Sequence, residues 1–323
     1  MKTPSFWKNK NLLSTLLCPF GCIYATITAQ RLKFIKPRNV NVPVICIGNL
    51  TAGGTGKTPT ALSIAKIIRQ FGKNPYFVSR GYGGNLSGII VDPKIHTAQQ
   101  VGDEPLLLSR YAPVSINFER FLAAQKAVEN GADIIIMDDG FQNPTLHKDI
   151  SFLVFDGGFG VGNGYPLPAG PLRESLLSGI KRADAAIIIG DDQTGLRAQL
   201  GNIPIFEGRM KPLPLANTTT PAIAFAGIGR PEKFYNSLRE CNVNIIKTID
   251  FPDHHSYSES ELQNLVDIAW QKDAQLVTTS KDFVKIPEKM RHHFNVLEIE
   301  IEWKNQEALS QFLRDRLSGL TIQ

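Results

Sequence analysis

One stretch limits the fold more than any other. The apolar run VPVICI, residues 42–47, passes directly into GNLTAGGTGKTPT, residues 48–60. A strand, a Gly-rich turn and then a helix form the frame of a phosphate-binding loop. Gly56, Lys57 and Thr58 supply the end of such a loop. Backbone N–H groups of residues 53–58 would face a phosphate at a helix N-terminus. Lys57 would reach the outer phosphates of ATP, and Thr58 would offer its hydroxyl to Mg²⁺. A merely structural Gly-rich turn is the alternative, and the flanking strand and helix argue against it.

The usual spacing asks for a glycine five places before Gly56, where this chain has Thr51. Gly53-Gly54-Thr55-Gly56-Lys57-Thr58 instead follows the GGxGKT variant used by a subclass of P-loop ATPases. Many members of that subclass place a lysine just before the paired glycines. Here that position is Ala52, which disfavours a dimer with a lysine supplied in trans.

Alternating strand and helix patterns continue to the C-terminus, so the chain is expected to be α/β. Candidate strands are Val42–Ile47, Ile134–Met137, Ser151–Phe155, Ala185–Ile189, Ala222–Ala226, Leu276–Thr278 and Val296–Glu300. Candidate helices are Thr58–Phe71, Pro105–Tyr111, Phe118–Asn130, Pro231–Glu240, Ser258–Lys272 and Gln306–Leu317. Ser258 and Glu261 have capping-box spacing. At 323 residues and 42% apolar content, two domains are expected. The Pro- and Thr-rich stretch 209–223 marks the boundary. The expected division is an N-terminal interfacial helical segment 1–40, a P-loop domain 41–208 and a smaller α/β domain 209–323. Cys18, Cys22, Cys46 and Cys241 lack metal-ligand or CxxC spacing and read as reduced thiols.

Charge is lopsided. The first 91 residues hold twelve Lys and Arg and no acid, while the whole chain is only +5, so the remainder is net acidic. An anionic partner near the N-terminus is implied, and nucleic acid, an acidic membrane face or a phosphorylated substrate all fit. Asn11 to Gln30 carries no charge and is flanked by basic residues. Pro19 and Gly21 interrupt it, and Ser, Thr, Asn and Gln dilute it. The reading preferred over a true span, a cleaved leader or a buried core helix is a hairpin or broken helix in the membrane interface. Its lysines and arginines would then rest on acidic headgroups.

Three further patterns carry chemistry. ADIIIMDDGFQ, residues 132–142, brings Asp138 and Asp139 to the C-terminal end of a strand, where ligands bind in α/β sheets and a Mg²⁺-holding carboxylate belongs. VGDEPLLL puts Asp103 and Glu104 at a helix start, where acids also serve the helix dipole. DFPDHHSYS contains His254 and His255, poor evidence for a metal but apt for proton transfer.

GNLTAGGTGKTP, SRGYGG, GDEP, MDDGFQ, PLPAGPLRE, DHHSYS and VTTSKDFVK, in this order, closely resemble the tetraacyldisaccharide 4′-kinases of lipid A biosynthesis. The resemblance runs from the N-terminal helix to about Lys285. It implies a P-loop NTPase-like α/β/α sandwich, a smaller α/β domain joined by a two-stranded linker, and an N-terminal membrane-associated helix. It implies phosphorylation of the 4′-hydroxyl of an acylated disaccharide 1-phosphate with ATP and Mg²⁺, giving the 1,4′-bisphosphate. The place would be the cytoplasmic face of the bacterial inner membrane, held peripherally or monotopically on an anionic surface. No nucleic acid and no protein partner are implied.

Matched by position, Thr51, Ala52, Gly53, Gly54, Thr55, Gly56, Lys57 and Thr58 form the ATP loop. Thr58, Asp138 and Asp139 stand at the metal. Asp103 matches the catalytic base and His254 its dyad partner. Arg80, Glu104, Arg120, Gln142, Arg173 and Glu174 match polar positions around the site, and the division of metal ligation between Asp138, Asp139 and Glu174 stays open. His254 lies beyond the expected boundary, so domain closure would complete the site. Two other classes compete. A membrane-associated ATPase switch or partition protein is disfavoured by Ala52. A GTP-dependent metal-insertion protein is disfavoured because TSKDF has Lys and Asp adjacent, the wrong spacing for a guanine motif.

Overall fold

The computed structural model of the protein describes residues 4–320. Residues 1–3 of the expected N-terminal segment and 321–323 of the C-terminal one lie outside the described residues. Two sheets organise the rest. The larger contains β1 (Val44–Gly48), β2 (Pro75–Ser79), β3 (Ile89–Ile90), β4 (Val114–Ile116), β5 (Ile134–Asp138), β6 (Ile150–Asp156), β7 (Ala185–Ile189), β8 (Ile205–Pro212) and β13 (Ile299–Trp303). The smaller contains β9 (Ala222–Ala226), β10 (Ile245–Asp250), β11 (Gln275–Thr279) and β12 (Phe294–Leu297). The helices are α1 (Leu12–Phe34), α2 (Lys57–Gln70), α3 (Ala98–Val101), α4 (Asp103–Leu108), α5 (Arg120–Glu129), α6 (Leu176–Ile180), α7 (Leu196–Gln199), α8 (Pro231–Glu240), α9 (Glu259–Gln271), α10 (Ser280–Phe283) and α11 (Gln306–Ser318).

The large sheet runs β13-β8-β7-β6-β1-β5-β2-β4-β3. It is parallel except at its two edges, where β3 and β13 are antiparallel to their neighbours. β1 sits centrally, between β5 and β6. A parallel sheet covered on both faces needs strands that are apolar throughout, and β1 is buried at every residue. Ile45 and Ile47 join the core beneath α2, whereas Val44 and Cys46 join the core of the opposite face. In α2, Ala61, Ile64, Ala65 and Ile68 recur at helical spacing and are buried against the sheet. The smaller sheet, order β10-β9-β11-β12, is wholly parallel.

The expected strand Val296–Glu300 is two strands. Phe294–Leu297 pairs with β11 in the small sheet, and Ile299–Trp303 pairs antiparallel with β8 in the large one. β8 therefore carries the chain out of the large sheet and β13 brings it back. The C-terminal helix α11 buries Leu309 and Leu313 in the large sheet's core, and the Trp303 indole donates to Ser63 Oγ of α2 at 2.8 Å. Residues 299–318 thus pack with the first unit, although the expected boundary at 209 groups them with the second.

The N-terminal segment differs from the expected hairpin or broken helix: α1 is one helix of 23 residues with Pro19 inside it. Asn11 accepts from the Ser14 backbone and Ser14 accepts from Asn11, a capping box that fixes its start. Gly21 does not break the helix. A β-carbon there would lie 2.8 Å from the Pro166 carbonyl, so glycine permits docking on the 165–171 loop. Only Ser14 and Gly21 of α1 are buried.

Candidate active site

The phosphate loop hangs between β1 and α2. Gly53 and Gly56 take φ of +124° and +92°, conformations that glycine reaches without a Cβ penalty. Thr51 makes no such demand. It is buried and forms an isolated bridge to Leu172, and its carbonyl accepts from the Asn49 amide at 2.7 Å. A side chain is therefore tolerated where the commoner spacing has glycine. Ala52 donates its N–H to the Pro171 carbonyl at 2.7 Å, and Arg173 donates its own to Leu50 at 2.7 Å. The PLPAGPLRE segment thereby braces the loop from below. A β-carbon on Gly53 or Gly54 would meet nothing within 4 Å, which leaves the loop an open face.

β5 ends on Asp138, and the turn that follows places Asp139 at φ +51°. The Thr58 hydroxyl donates to Asp138 Oδ2 at 2.9 Å, while Oδ1 is buried without a partner. Burial pushes the Asp138 carboxyl up to about 7, and nearby Glu104 pushes the same way. An orphaned carboxylate oxygen beside a loop threonine, short of cationic partners, fits a divalent cation. Asp139 is placed differently. Both its oxygens face Arg173, at 2.9 and 3.4 Å, and Lys57 lies 3.7 Å away. Burial works to raise its pKa, but Lys57 and Arg173 outweigh it and hold it below the usual carboxylate range. The Arg120 guanidinium donates to the Asp139 carbonyl at 3.0 Å, and burial lowers its own pKa. Arg80 follows β2 close enough to act on Arg120.

Glu174 is buried, with one oxygen on the Gln142 amide at 3.1 Å and the other on Arg182 at 2.5 Å. Gln142 also donates to the Asn49 carbonyl at 2.9 Å. Both oxygens of Glu174 are thus engaged beneath the loop. Among the described residues, no group of three His, Cys, Asp or Glu is arranged to hold a metal.

Asp103 opens α4 after Gly102, whose φ of +89° and contact with Tyr82 exclude a side chain. The Asp103 carboxylate is buried, takes the Glu104 N–H at 3.0 Å on Oδ1, and pairs with His254 Nδ1 at 2.9 Å through Oδ2. This contact crosses from the large-sheet unit to the loop after β10. Burial favours the neutral acid, yet the His254 hydrogen bond and Lys281 prevail and lower the Asp103 pKa. The same hydrogen bond raises that of His254. His254 is held at φ +61°, a strained value for a non-glycine residue. His255 goes elsewhere: it stacks on Phe251 with 4.9 Å between ring centres and its Nε2 meets Glu261 Oε1 at 3.1 Å, at the start of α9.

The structure therefore joins Lys57, Thr58, Asp138 and Asp139 at the phosphate loop and pairs Asp103 with His254, with Glu104, next to Asp103, close enough to act on Asp138. Sequence reasoning missed three partners. Lys281 Nζ lies 3.2 Å from His254 Nε2; the residue stands within VTTSKDFVK, but that motif does not report the pairing. Asn49 ties together Thr51 and Thr55, and GNL precedes the loop. Arg182 neutralises Glu174 and sits over the Phe141 ring at 4.4 Å, with no motif to mark it.

Comparison with known proteins places the chain among relatives along nearly its whole length. Residues 13–318 match the family model described as tetraacyldisaccharide-1-P 4′-kinase. A protein of Rhodospirillum centenum named tetraacyldisaccharide 4′-kinase is 43% identical over 330 residues, covering 99% of this chain and 98% of the relative. One of the same name from Parvibaculum lavamentivorans is 46% identical over 297 residues, 88% of this chain and 87% of the relative. Among solved structures, LpxK from Aquifex aeolicus in complex with ATP superimposes with a TM-score of 0.79 at 26% identity, over 95% of this chain and 100% of that one.

Proposed function

The chain belongs to the tetraacyldisaccharide-1-P 4′-kinase family, and on that premise we infer that its cleft moves the terminal phosphoryl group of ATP to the 4′-hydroxyl of an acylated disaccharide 1-phosphate. The observation that carries the reading is the Asp103–His254 pair, 2.9 Å apart, whose neighbour Glu104 is close enough to act on Asp138. A bare ATPase needs no buried carboxylate with a histidine partner at this place; a kinase for a sugar hydroxyl does.

Residues 53–58 hold the phosphates of ATP through their N–H groups, on a loop that Thr51 and Ala52 anchor to Leu172 and Pro171. Lys57, steadied by Asp139, supplies positive charge to the group in transfer. Asp138 and Thr58 would hold Mg²⁺, with Asp139 beside them, and a cation bound there would offset phosphate charge. Asp139 also fixes Arg173, while Arg120, Arg80 and Gln142 line the adjoining polar wall. Glu174, through Arg182 and Gln142, supports the loop from beneath. Asp103 takes the proton of the 4′-hydroxyl as the new bond forms, and His254 holds that carboxylate in place. His254 comes from the second unit, so closing the two units completes the site and excludes water.

The units we assign are a large one, 41–212 with 299–318, and a small one, 213–298, joined by the antiparallel β8 and β13. We place the enzyme on the cytoplasmic face of the inner membrane, where ATP is available. The support is α1: its protein-facing stripe is Ser14, Leu17, Cys18, Gly21, Ala25, Thr28 and Leu32, while Leu12, Leu16, Phe20, Ile23, Ile27 and Phe34 face outward and are exposed. A helix of a water-soluble surface shows the reverse arrangement. Flanking Lys8, Lys10, Arg31, Lys33 and Lys36 suit acidic headgroups. The test is the acceptor. With labelled ATP and a purified tetraacylated disaccharide 1-phosphate in mixed micelles, label should enter the lipid at its 4′ position. Release of free phosphate alone would sink the reading.

A further inference from the structure

The segment VTTSKDFVK closes around a buried carboxylate. Asp282 is fully buried in α10 and accepts from the Gly227 N–H at 3.0 Å, the Tyr257 hydroxyl at 3.0 Å and the Thr279 hydroxyl at 2.7 Å, with Lys285 at 2.7 Å. A carboxylate with that many partners does not shift its helix cheaply. α10 is thereby fixed against the end of β9. The same Gly227 accepts from the His254 N–H at 3.2 Å, so the histidine loop hangs from the same point. Next to Asp282, Lys281 turns the other way, into the cleft. Its Nζ lies 3.2 Å from His254 Nε2, 3.6 Å from Asp253, 3.9 Å from Asp103 and 4.0 Å from Glu104.

We propose that Lys281 is a positioning residue for the transfer reaction, an ammonium held against His254 Nε2 that fixes the ring's tautomer and opposes its protonation. The proposal rests on the dyad reading above and adds a third member to it. The chemistry is determined by what each nitrogen can do. A lysine ammonium only donates, so Nε2 facing it must carry a lone pair. Nδ1 then carries the hydrogen and donates to Asp103 Oδ2. Protonating the ring would put an N–H on Nε2 against an ammonium 3.2 Å away, which Lys281 opposes.

The charged groups around the ring act in both directions. Asp103 of α4 and Asp253 of its own loop favour the imidazolium; Lys281 of α10 opposes it. Glu104 of α4 reaches Lys281 itself, and Lys285 acts on Asp103. Tyr82 presents only its ring edge, 6.3 Å between centres. Lys281 therefore limits how far Asp103 raises the histidine. It makes the imidazolium less favourable than Asp103 alone would, so that Asp103 is less firmly held as half of a fixed ion pair.

The experiment uses the full-length protein in detergent with ring-¹⁵N-labelled histidine, His254 being assigned by its absence in His254→Ala. Three variants are titrated: Lys281→Met, which loses donor and charge, Lys281→Gln, which keeps a donor without charge, and Lys281→Arg, which keeps both. In wild type the ¹⁵N shifts should report the Nδ1–H form. Lys281→Met should mix the tautomers and move the His254 titration upward by about one pH unit, and the acid limb of turnover should move with it. Lys281→Gln should keep the tautomer but show the upward shift, and Lys281→Arg should resemble wild type. ATP affinity should be equal in all four. An unchanged tautomer and titration in Lys281→Met overturns the proposal, and the dyad reading survives if His254→Ala still loses turnover. A titration that moves while the acid limb stays overturns it differently, by removing His254 from the reaction.

Discussion

Replacing Leu16, Phe20, Ile23 and Ile27 together by glutamine tests whether α1 meets a membrane. These four side chains follow helical spacing along the outward stripe and leave 65, 61, 58 and 61% of their surface in solvent. Full burial of such a side chain is worth roughly 1.5–3 kcal/mol, so their exposed parts together represent about 5 kcal/mol. A helix lying in the interface sinks only part-way, and about 2–3 kcal/mol should be lost on substitution. That is roughly a 30- to 150-fold fall in partitioning. Glutamine keeps good helix propensity, so the change is one of polarity, not of folding. Vesicle flotation with acidic phospholipid, at low and high salt, reads the loss. The basic residues at either end should leave a residual attraction that salt removes. Thermal melts should match wild type, because the four side chains face outward, away from the described core. Equal flotation of variant and wild type would refute the interfacial helix. A large fall in melting temperature would refute the premise that the stripe is unpacked.

Lys57→Ala should lower turnover by roughly 10²–10³ with an unchanged melt, since Asp139 keeps Arg173 as its partner; an active variant would remove Lys57 from the phosphate site. Gly48→Ala should cost about 1–3 kcal/mol in chemical denaturation, because the added β-carbon would lie 2.4 Å from that of the fully buried Phe141; an unmoved midpoint would contradict the close approach. Asp103→Asn and His254→Ala should each lower turnover strongly, and the double variant little more than the worse single one, with ATP affinity unchanged; additive losses would separate the two residues. Asp103 is lowered from 3.8 and His254 raised from 6.5. The stability drawn from Asp103 is present above 3.8 and lost as pH falls through its lowered value; that drawn from His254 is present below 6.5 and lost as pH rises through its raised value. The melting difference between wild type and His254→Ala should therefore shrink as pH rises past 6.5, while turnover climbs; a difference that grows with pH would contradict the pairing.

Strands buried on both faces were plain in the sequence. Ala185–Ile189 and Ala222–Ala226 match their expected bounds because nothing but apolar residues suits a covered parallel sheet. β2, β4 and β10 escaped notice for separate reasons. β2 begins on Pro75, β4 has only three residues, and β10 is largely exposed at a sheet edge. The run Val296–Glu300 shows what periodicity omits. Alternation identifies strand, but it does not report that the chain changes sheets at Glu298. α1 was misjudged because Pro19 and Gly21 read as breakers, whereas Gly21 answers a contact with Pro166 far along the chain. At the site, the loop and the Asp pair were legible because β1 and β5 deliver them at strand ends. Lys281 was not, since its role depends on a histidine 27 residues away whose loop conformation no local pattern reveals.

The PLPAGPLRE segment does two jobs that belong to different surfaces. At one end it receives the start of the chain: the Trp7 indole donates to the Pro168 carbonyl at 3.1 Å, and Asn163 donates to the Trp7 and Phe6 carbonyls at 2.8 and 2.9 Å. Pro166 meets Gly21 in the middle of α1. Within a few residues, Pro171 and Leu172 brace Ala52 and Thr51 of the phosphate loop, and Arg173 reaches Asp139. A lipid acceptor keeps its acyl chains in the bilayer while its 4′-hydroxyl must meet a phosphate held by this loop. The distance between those two places is set by whatever joins α1 to the loop. A mobile joint would waste binding energy on ordering it for each acceptor, whereas one short segment hydrogen-bonded to both fixes the separation in advance. Positioning of the exposed apolar helix and positioning of the phosphate are then one structural requirement, and it falls on residues 163–173.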